Sequence, residues 1–408
     1  MDARACEKRD RNRNAEPSVA RVLGLTMVAI FSTTLFMRAV DPLVPQIATY
    51  FAVDPHTVAL LATAFSLPYA ITQPILGGLA DAFGKTKLMT WSLVVLVVSA
   101  AIGAWAPNLT VLFVSRIVSG VTAGGVFPIA VAIAADLVAV ERRQIAVGRM
   151  LGAAMLGNVL GSPASGMVAD LIGWRGVFIG MGGLGVLSVV AAMIGFRGLS
   201  SHAVARIDIR ALPATYAAIF RNPLAKICYG AVMIEAICLF GLFPYVAGLL
   251  AATGETRAAI AGLVIGGFGG GGVIYASSIS ILHGRLGEWW LMIGGGTIMS
   301  IALALVALRL PWPAQAIDFV FVGLGFYMLH GVIQIYASEL SPTARGSAMA
   351  MHSAAFFFGN AIGPVVYGWA LLTVGLPVTV VTAAAILMGV ALVCASKLRR
   401  DHARTTTA

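Results

Sequence analysis

Gly77-Gly78-Leu79-Ala80-Asp81-Ala82-Phe83-Gly84-Lys85-Thr86-Lys87 is a short polar interruption between two long apolar runs, near 57–80 and 88–106. Each run is close to the ~20 residues that a helix needs to cross a bilayer. The segment therefore reads as a tight loop joining two membrane spans. Its small residues let two helix ends approach closely. Asp81 is suited to accept hydrogen bonds from a helix N-terminus, where the dipole favours an anion. Lys85 and Lys87 hold the loop on one side of the membrane.

Working outward, the same pattern repeats along the chain. Spans are expected near 22–48, 57–80, 88–106, 109–136, 146–170 and 175–197, then near 226–251, 257–282, 289–308, 315–338, 345–372 and 376–396. The polar stretch 198–225 separates an N-terminal bundle, 22–197, from a C-terminal bundle, 226–396, each of six helices; basic tails cover 1–21 and 397–408. The expected fold is an all-α membrane protein of twelve transmembrane helices in two pseudo-symmetric bundles. Composition agrees: 59% of the 408 residues are hydrophobic and 11% charged, against about 25% charged in a soluble domain.

The net charge of +10 does not point to nucleic acid, because it is laid out by topology. Of 27 Lys and Arg, 22 fall in the tails and the loops on the tail side. Arg175, Arg257 and Arg309 lie on the other side, and Arg38 and Arg116 lie within spans. By the positive-inside rule both termini are expected in the cytoplasm, with the chain multi-pass in a plasma (inner) membrane. Cys6, Cys228, Cys238 and Cys394 form no CxxC or Cys/His cluster, so neither a metal site nor a disulfide framework is expected. No cofactor is expected: the G-x-G-x-x-G matches at 180–185 and 267–272 lie in apolar helices rather than after a strand, and no G-x-x-x-x-G-K-[ST] loop is present.

Gly157-Asn158-Val159-Leu160-Gly161 and Gly359-Asn360-Ala361-Ile362-Gly363 lie 202 residues apart, as do Gly166 and Gly368, Arg143 and Arg345, and Pro42 and Pro244. A parallel repeat of this kind builds a transport site between two halves.

Three segments carry a family resemblance. The 77–87 loop resembles the hallmark G-x-L-A-D-R-x-G-R-K of the major facilitator superfamily, with Ala82 at the usual arginine, so one partner of that family's charge relay is missing. Leu112 to Gly120, with Arg116 between, resembles its fourth-helix pattern L-x-x-x-R-x-x-x-G. Gly157, Gly161, Pro163 and Gly166 resemble its fifth-helix pattern G-x-x-x-G-P-x-x-G-G, with Ser162 interrupting the Gly-Pro pair; Gly359 and Gly363 repeat the packing glycines. That pattern is associated with exporters, especially drug/proton antiporters. The resemblance implies alternating access, a small-molecule substrate, protons as the coupling ion and a central cavity lined by spans one, four, seven and ten.

Charged residues inside spans name the candidate sites, since each costs ~2.5–3.5 kcal/mol at mid-bilayer. Asp41 is read as the proton carrier, with Arg116 and Arg38 tuning it; the alternative is a local Arg38–Asp41 ion pair. Pro42 and Pro45 break span one there and free carbonyls that need partners. Glu235, His330, Gln334, Asn158 and Asn360 are the candidate cavity residues, with Glu235 open to a substrate cation, a second proton or a packing hydrogen bond. Gly77, Asp81, Gly84, Lys85, Asp136, Arg143, Glu339 and Arg345 form a candidate cytoplasmic gate, closed by ion pairs. The lipid bilayer is the expected surround and a monomer the expected state. Alternatives are a proton-coupled importer on the same fold and, remotely, a membrane enzyme or sensor. Asp81→Asn is expected to slow initial transport in vesicles while leaving membrane insertion intact, and undiminished rates would refute a gating role.

Overall fold

The computed structural model describes residues 19–197, 212–341 and 344–405, and every regular element among them is helical. Ten helical stretches among these residues are long and apolar enough to cross a membrane. One of them, Ile145–Gly195, is divided at Gly173, and the 29-residue helix Pro55–Phe83 adds a further span, giving twelve. In order they are span one (Val19–Phe51, with a break), two (Pro55–Phe83), three (Lys85–Ala104), four (Leu109–Leu137), five and six (Val140–Gly195), seven (Pro223–Ala251, with a break), eight and nine (Ala258–Leu305), ten (Trp312–Glu339), eleven (Arg345–Thr373) and twelve (Gly375–Thr405). The expected polar linker contains a helix, Leu212–Arg221, and span seven begins at Pro223, capped by Asn222. The expected N-terminal tail up to residue 18 and linker residues 198–211 lie outside the described residues.

Two glycines turn the chain back. Gly173 (φ 78°, ψ 170°) and Gly287 (φ 71°, ψ 170°) occupy backbone space that is essentially closed to other residues. The packing register proves the reversal. Along span one, Thr34 and Arg38 meet Gly157 and Gly161 in rising order, whereas Leu25 and Ser32 meet Gly195 and Ser188 in falling order. Spans five and six therefore run in opposite directions. Spans eight and nine do the same against span ten: Gly267 and Gly271 meet Ala316 and Val320, while Gly295 and Met299 meet Met328 and Gly325.

The pseudo-symmetry extends to backbone detail. The 3-10 turns Asp41–Leu43 and Phe243–Tyr245 lie 202 residues apart. So do the positive-φ positions Ala52 and Gly254, and Gly173 and Gly375. Gly84 and Gly287 lie 203 apart. The halves meet along two antiparallel seams. In one, Gly166, Ser162 and Val159 of span five meet Ala258, Gly262 and Gly269 of span eight. In the other, the Thr63 hydroxyl of span two donates to the Ala361 carbonyl of span eleven at 2.7 Å, and the Tyr69 and Phe357 rings pack at 4.3 Å. Both seams lie toward the end opposite the basic loops, here termed the distal end.

The break in span one positions the rest. Pro42 has no N–H to give the carbonyl four residues back, so the helix ends at Arg38 and leaves its last carbonyls without intrahelical partners. Buried carbonyls must then find donors elsewhere. Arg116 Nη1 donates to Phe36 O at 3.1 Å and its Nη2 to Met37 O at 3.2 Å. The Ser162 hydroxyl donates to Arg38 O at 2.9 Å. Spans four and five thus complete the end of span one. In the second half the Tyr367 hydroxyl donates to Cys238 O, which lies 202 residues after Phe36. Arg116→Ala leaves two buried carbonyls bare, each worth about 1–3 kcal/mol. It should lower the melting temperature in detergent markedly, with Arg116→Lys in between; an Arg116→Ala protein that melts like the wild type would contradict this.

Candidate functional site

Two buried polar clusters flank a cavity between the halves. The first sits at the span-one break. Arg38, Asp41 and Arg116 are each at most 6% exposed, on a turn and two helices that the Pro42 break brings together. Arg38 Nη1 lies 3.7 Å from Asp41 Oδ2, the ion pair expected from their spacing, and its Nη2 donates to Asn360 Oδ1 on span eleven at 2.7 Å. The guanidinium lies over the Phe240 ring at 4.4 Å and near Phe243 at 5.1 Å. Arg116 lies over Phe65 at 4.4 Å. Asp41 Oδ2 is buried and accepts no hydrogen bond. A buried carboxylate beside one guanidinium and within the field of a second is suited to hold and release a proton.

The second cluster joins spans seven, ten and eleven. Glu235 is fully buried, and its Oε2 lies 3.0 Å from His330 Nδ1. The His330 ring stacks on Phe326 at 4.7 Å and lies 5.2 Å from His352. Glu235 Oε1 and His352 Nε2 have no hydrogen-bond partner. These groups form a short titratable chain with open acceptor and donor sites. No group of three or more His, Cys, Asp or Glu among the described residues has the arrangement to hold a metal ion.

The cavity measures about 300 Å³. Asn158, His330 and Gln334 line it, together with Arg38 and an aromatic wall of Phe240, Phe268, Phe326 and Phe356. Two candidate cavity residues lie elsewhere. Glu235 sits behind His330, out of the lining, because its carboxyl is folded into the packing of span seven. Asn360 is buried and spends its carboxamide oxygen on Arg38, tying span one to span eleven. The residues that the sequence reading missed include Tyr275 and Tyr327, which also line the cavity, and Ser162, which caps span one. Ser162 looked like a flaw in a packing motif because its partner lies 124 residues away in sequence.

Motif glycines act by omission. A Cβ at Gly157 or Gly161 would collide with the span-one backbone at Phe31 and Leu35. One at Gly359 or Gly363 would meet span seven at Met233 and Gly241. Pro163 packs against Gly266. At the basic end, Gly84 (φ 87°) joins spans two and three, and Lys85 Nζ lies 2.7 Å from Asp136 Oδ2. Asp136 thus pairs with Lys85 of its own half rather than with Arg143 of the expected gate, and Arg143 Nε donates to Val138 O at 3.0 Å. Glu339 and Arg345 are exposed at the ends of spans ten and eleven. The side chains of Gly77 and Asp81 lie outside the described residues.

Comparisons with known proteins agree with this architecture. The Inner membrane transport protein YdhP of Escherichia coli (strain K12) is 25% identical over 373 residues, covering 89% of this chain and 92% of the relative. The Quinolone resistance protein NorA of Staphylococcus aureus is 25% identical over 388 residues, covering 91% of this chain and 95% of the relative. The Uncharacterized MFS-type transporter YfhI of Bacillus subtilis is 29% identical, but over 177 residues, so that this chain spans 45% of that relative and 43% of itself is matched. The family model for the Major Facilitator Superfamily matches residues 26–364. With twelve helical spans, two repeated halves and a cavity between them, the chain is a multi-pass membrane transporter and belongs to the Major Facilitator Superfamily.

Proposed function

We propose that the protein exports a small amphipathic, drug-like molecule in exchange for protons, by alternating access, as a monomer in a bacterial inner membrane. The basic loops and both termini would face the cytoplasm, as the distribution of Lys and Arg favours. The packed distal seams would then face the outside.

The observation that carries the proton assignment is Asp41: buried, beside Arg38 and within electrostatic reach of Arg116. It sits on the turn where span one touches the other half through Arg38 and Asn360. A proton arriving at Oδ2 removes the negative charge that Arg38 faces. That weakens one arm of the cluster that ties span one to span eleven, so loading and unloading bias the two halves toward different arrangements. The aromatic wall suits a flat apolar body, and Asn158, Tyr275 and Gln334 offer hydrogen bonds to a polar edge. NorA, which matches most of the chain, is named for quinolone resistance, and that name supports the drug-like substrate class for this chain.

In everted vesicles with an imposed pH gradient, wild-type protein is expected to accumulate an amphipathic aromatic dye, and Asp41→Asn to lose gradient-driven accumulation by at least about tenfold, the order expected when a coupling group worth ~1.4 kcal/mol or more is removed. Gradient-driven accumulation by Asp41→Asn at the wild-type rate would reject the assignment. Flux in the opposite direction would make the protein an importer.

A further inference from the structure

At the distal mouth of the seam between spans five and eight, Asp170 reaches from one half to the other. Its Oδ1 accepts the amide N–H of Ala258 at 2.9 Å, and its Oδ2 accepts that of Ala259 at 2.9 Å. These are the first two residues of span eight, whose amides have no partner in their own helix and carry the positive end of its dipole. Arg257, the residue before them, makes its side-chain hydrogen bonds to Glu255 and acts on the Asp170 carboxylate only through its charge. Its Nη2 and Nε bond Glu255 at 2.6 and 2.8 Å, and those bonds hold the Glu255 carboxyl down at about 2. Both carboxylate oxygens of Asp170 thus hydrogen-bond backbone amides of the opposite half.

The packing ties this contact to one arrangement of the halves. Behind Asp170, Gly166 lies against the Ala258 carbonyl, Gly262 against Ser162 and Gly266 against Pro163, so spans five and eight touch almost backbone to backbone. No distal opening can form while that seam is shut, and Asp170 stands at its mouth. Two other hydrogen-bonded ties cross between the halves among the described residues, Thr63 to Ala361 and Arg38 to Asn360. Neither sets an anion on a helix end. When the seam parts, a carboxylate and two helix-terminal amides lose each other, and charge-assisted bonds are the stronger ones.

We infer that Asp170 is a gate residue: its carboxylate, docked on the N-terminus of span eight, sets the ratio of distal-closed to distal-open transporter. It touches no substrate and acts by positioning the two halves. The inference rests on the alternating-access reading.

The test places nitroxide labels at Leu171 and Thr256, both exposed at the distal end, in the full-length chain with its native cysteines replaced, and measures their distance distribution in nanodiscs. Wild type should show a dominant short distance and a minor longer one. Asp170→Asn should raise the longer-to-shorter ratio roughly tenfold, as loss of a charge-assisted pair implies, and Asp170→Glu should stay near wild type. Ala258→Pro is the second variant. Proline is well accepted as a first helical residue and removes one of the two donors while leaving the carboxylate in place. It should also raise the longer population. A purely local cap on span eight would predict no shift with Ala258→Pro. If Asp170→Asn fails to fold, Ala258→Pro decides. A wild type with two populations whose ratio neither variant changes would overturn the gate assignment alone. A single unchanging distance in wild type and both variants would overturn alternating access as well.

Discussion

A proline at position 42 denies hydrogen bonds to the end of span one, and much of the site follows from that one lack. In water the freed carbonyls would simply be solvated. In a bilayer they need protein donors, because an unpaired polar group in lipid costs several kcal/mol. The chain answers with Arg116 from span four and Ser162 from span five. A buried guanidinium then needs compensating charge nearby, and Asp41 lies within its field on the same broken turn. Structure and proposed function thus share one cause: the break that had to be repaired also gathers two cations and an acid at the point where the halves touch.

The repaired break also explains why the halves are alike in backbone and unlike in chemistry. Both carry a 3-10 turn at the same place, 202 residues apart. The first half completes its helix end with arginine; the second uses the Tyr367 hydroxyl. In the second half Gly323 packs on Phe268 as Gly120 packs on Phe65, 203 residues earlier, and that register sets Phe319 where the first half has Arg116. Charge is concentrated on one side of the cavity and aromatic surface on the other, where His330 joins the lining and Glu235 and His352 lie behind it. An amphipathic ligand would find a polar edge and an apolar face in the same 300 Å³ space.

Most of the fold was legible in the sequence because lipid imposes a simple rule: spans are long apolar runs, and loops are short and charged by side. The glycine and proline punctuation gave the repeat, and the Arg38–Asp41 pair followed from helical spacing. The misplaced residues share a physical reason. Glu235 was assigned to the cavity because polar residues in cavity-lining spans usually face it, and Asn360 as a polar residue within a span; rotation of a helix by part of a turn decides what each side chain faces, and rotation is set by packing against other spans. Asp136 found Lys85 rather than the arginines near it in sequence, because the turn at Gly84 carries that lysine to the end of span four. Ser162 and Asp170 were invisible for a related reason: each bonds a backbone group of another span, and backbone groups leave no mark in a sequence.

The central claim is that the acid at the repaired break carries the exchangeable proton. Proton release on ligand binding tests it most directly, in purified protein, weak buffer and a pH-indicating dye, using an amphipathic aromatic compound that the transporter moves. The account predicts that wild type and Glu235→Gln both release protons on binding and that Asp41→Asn does not. Release by Asp41→Asn equal to wild type, with none from Glu235→Gln, would contradict it and move the coupling site to the Glu235–His330 cluster.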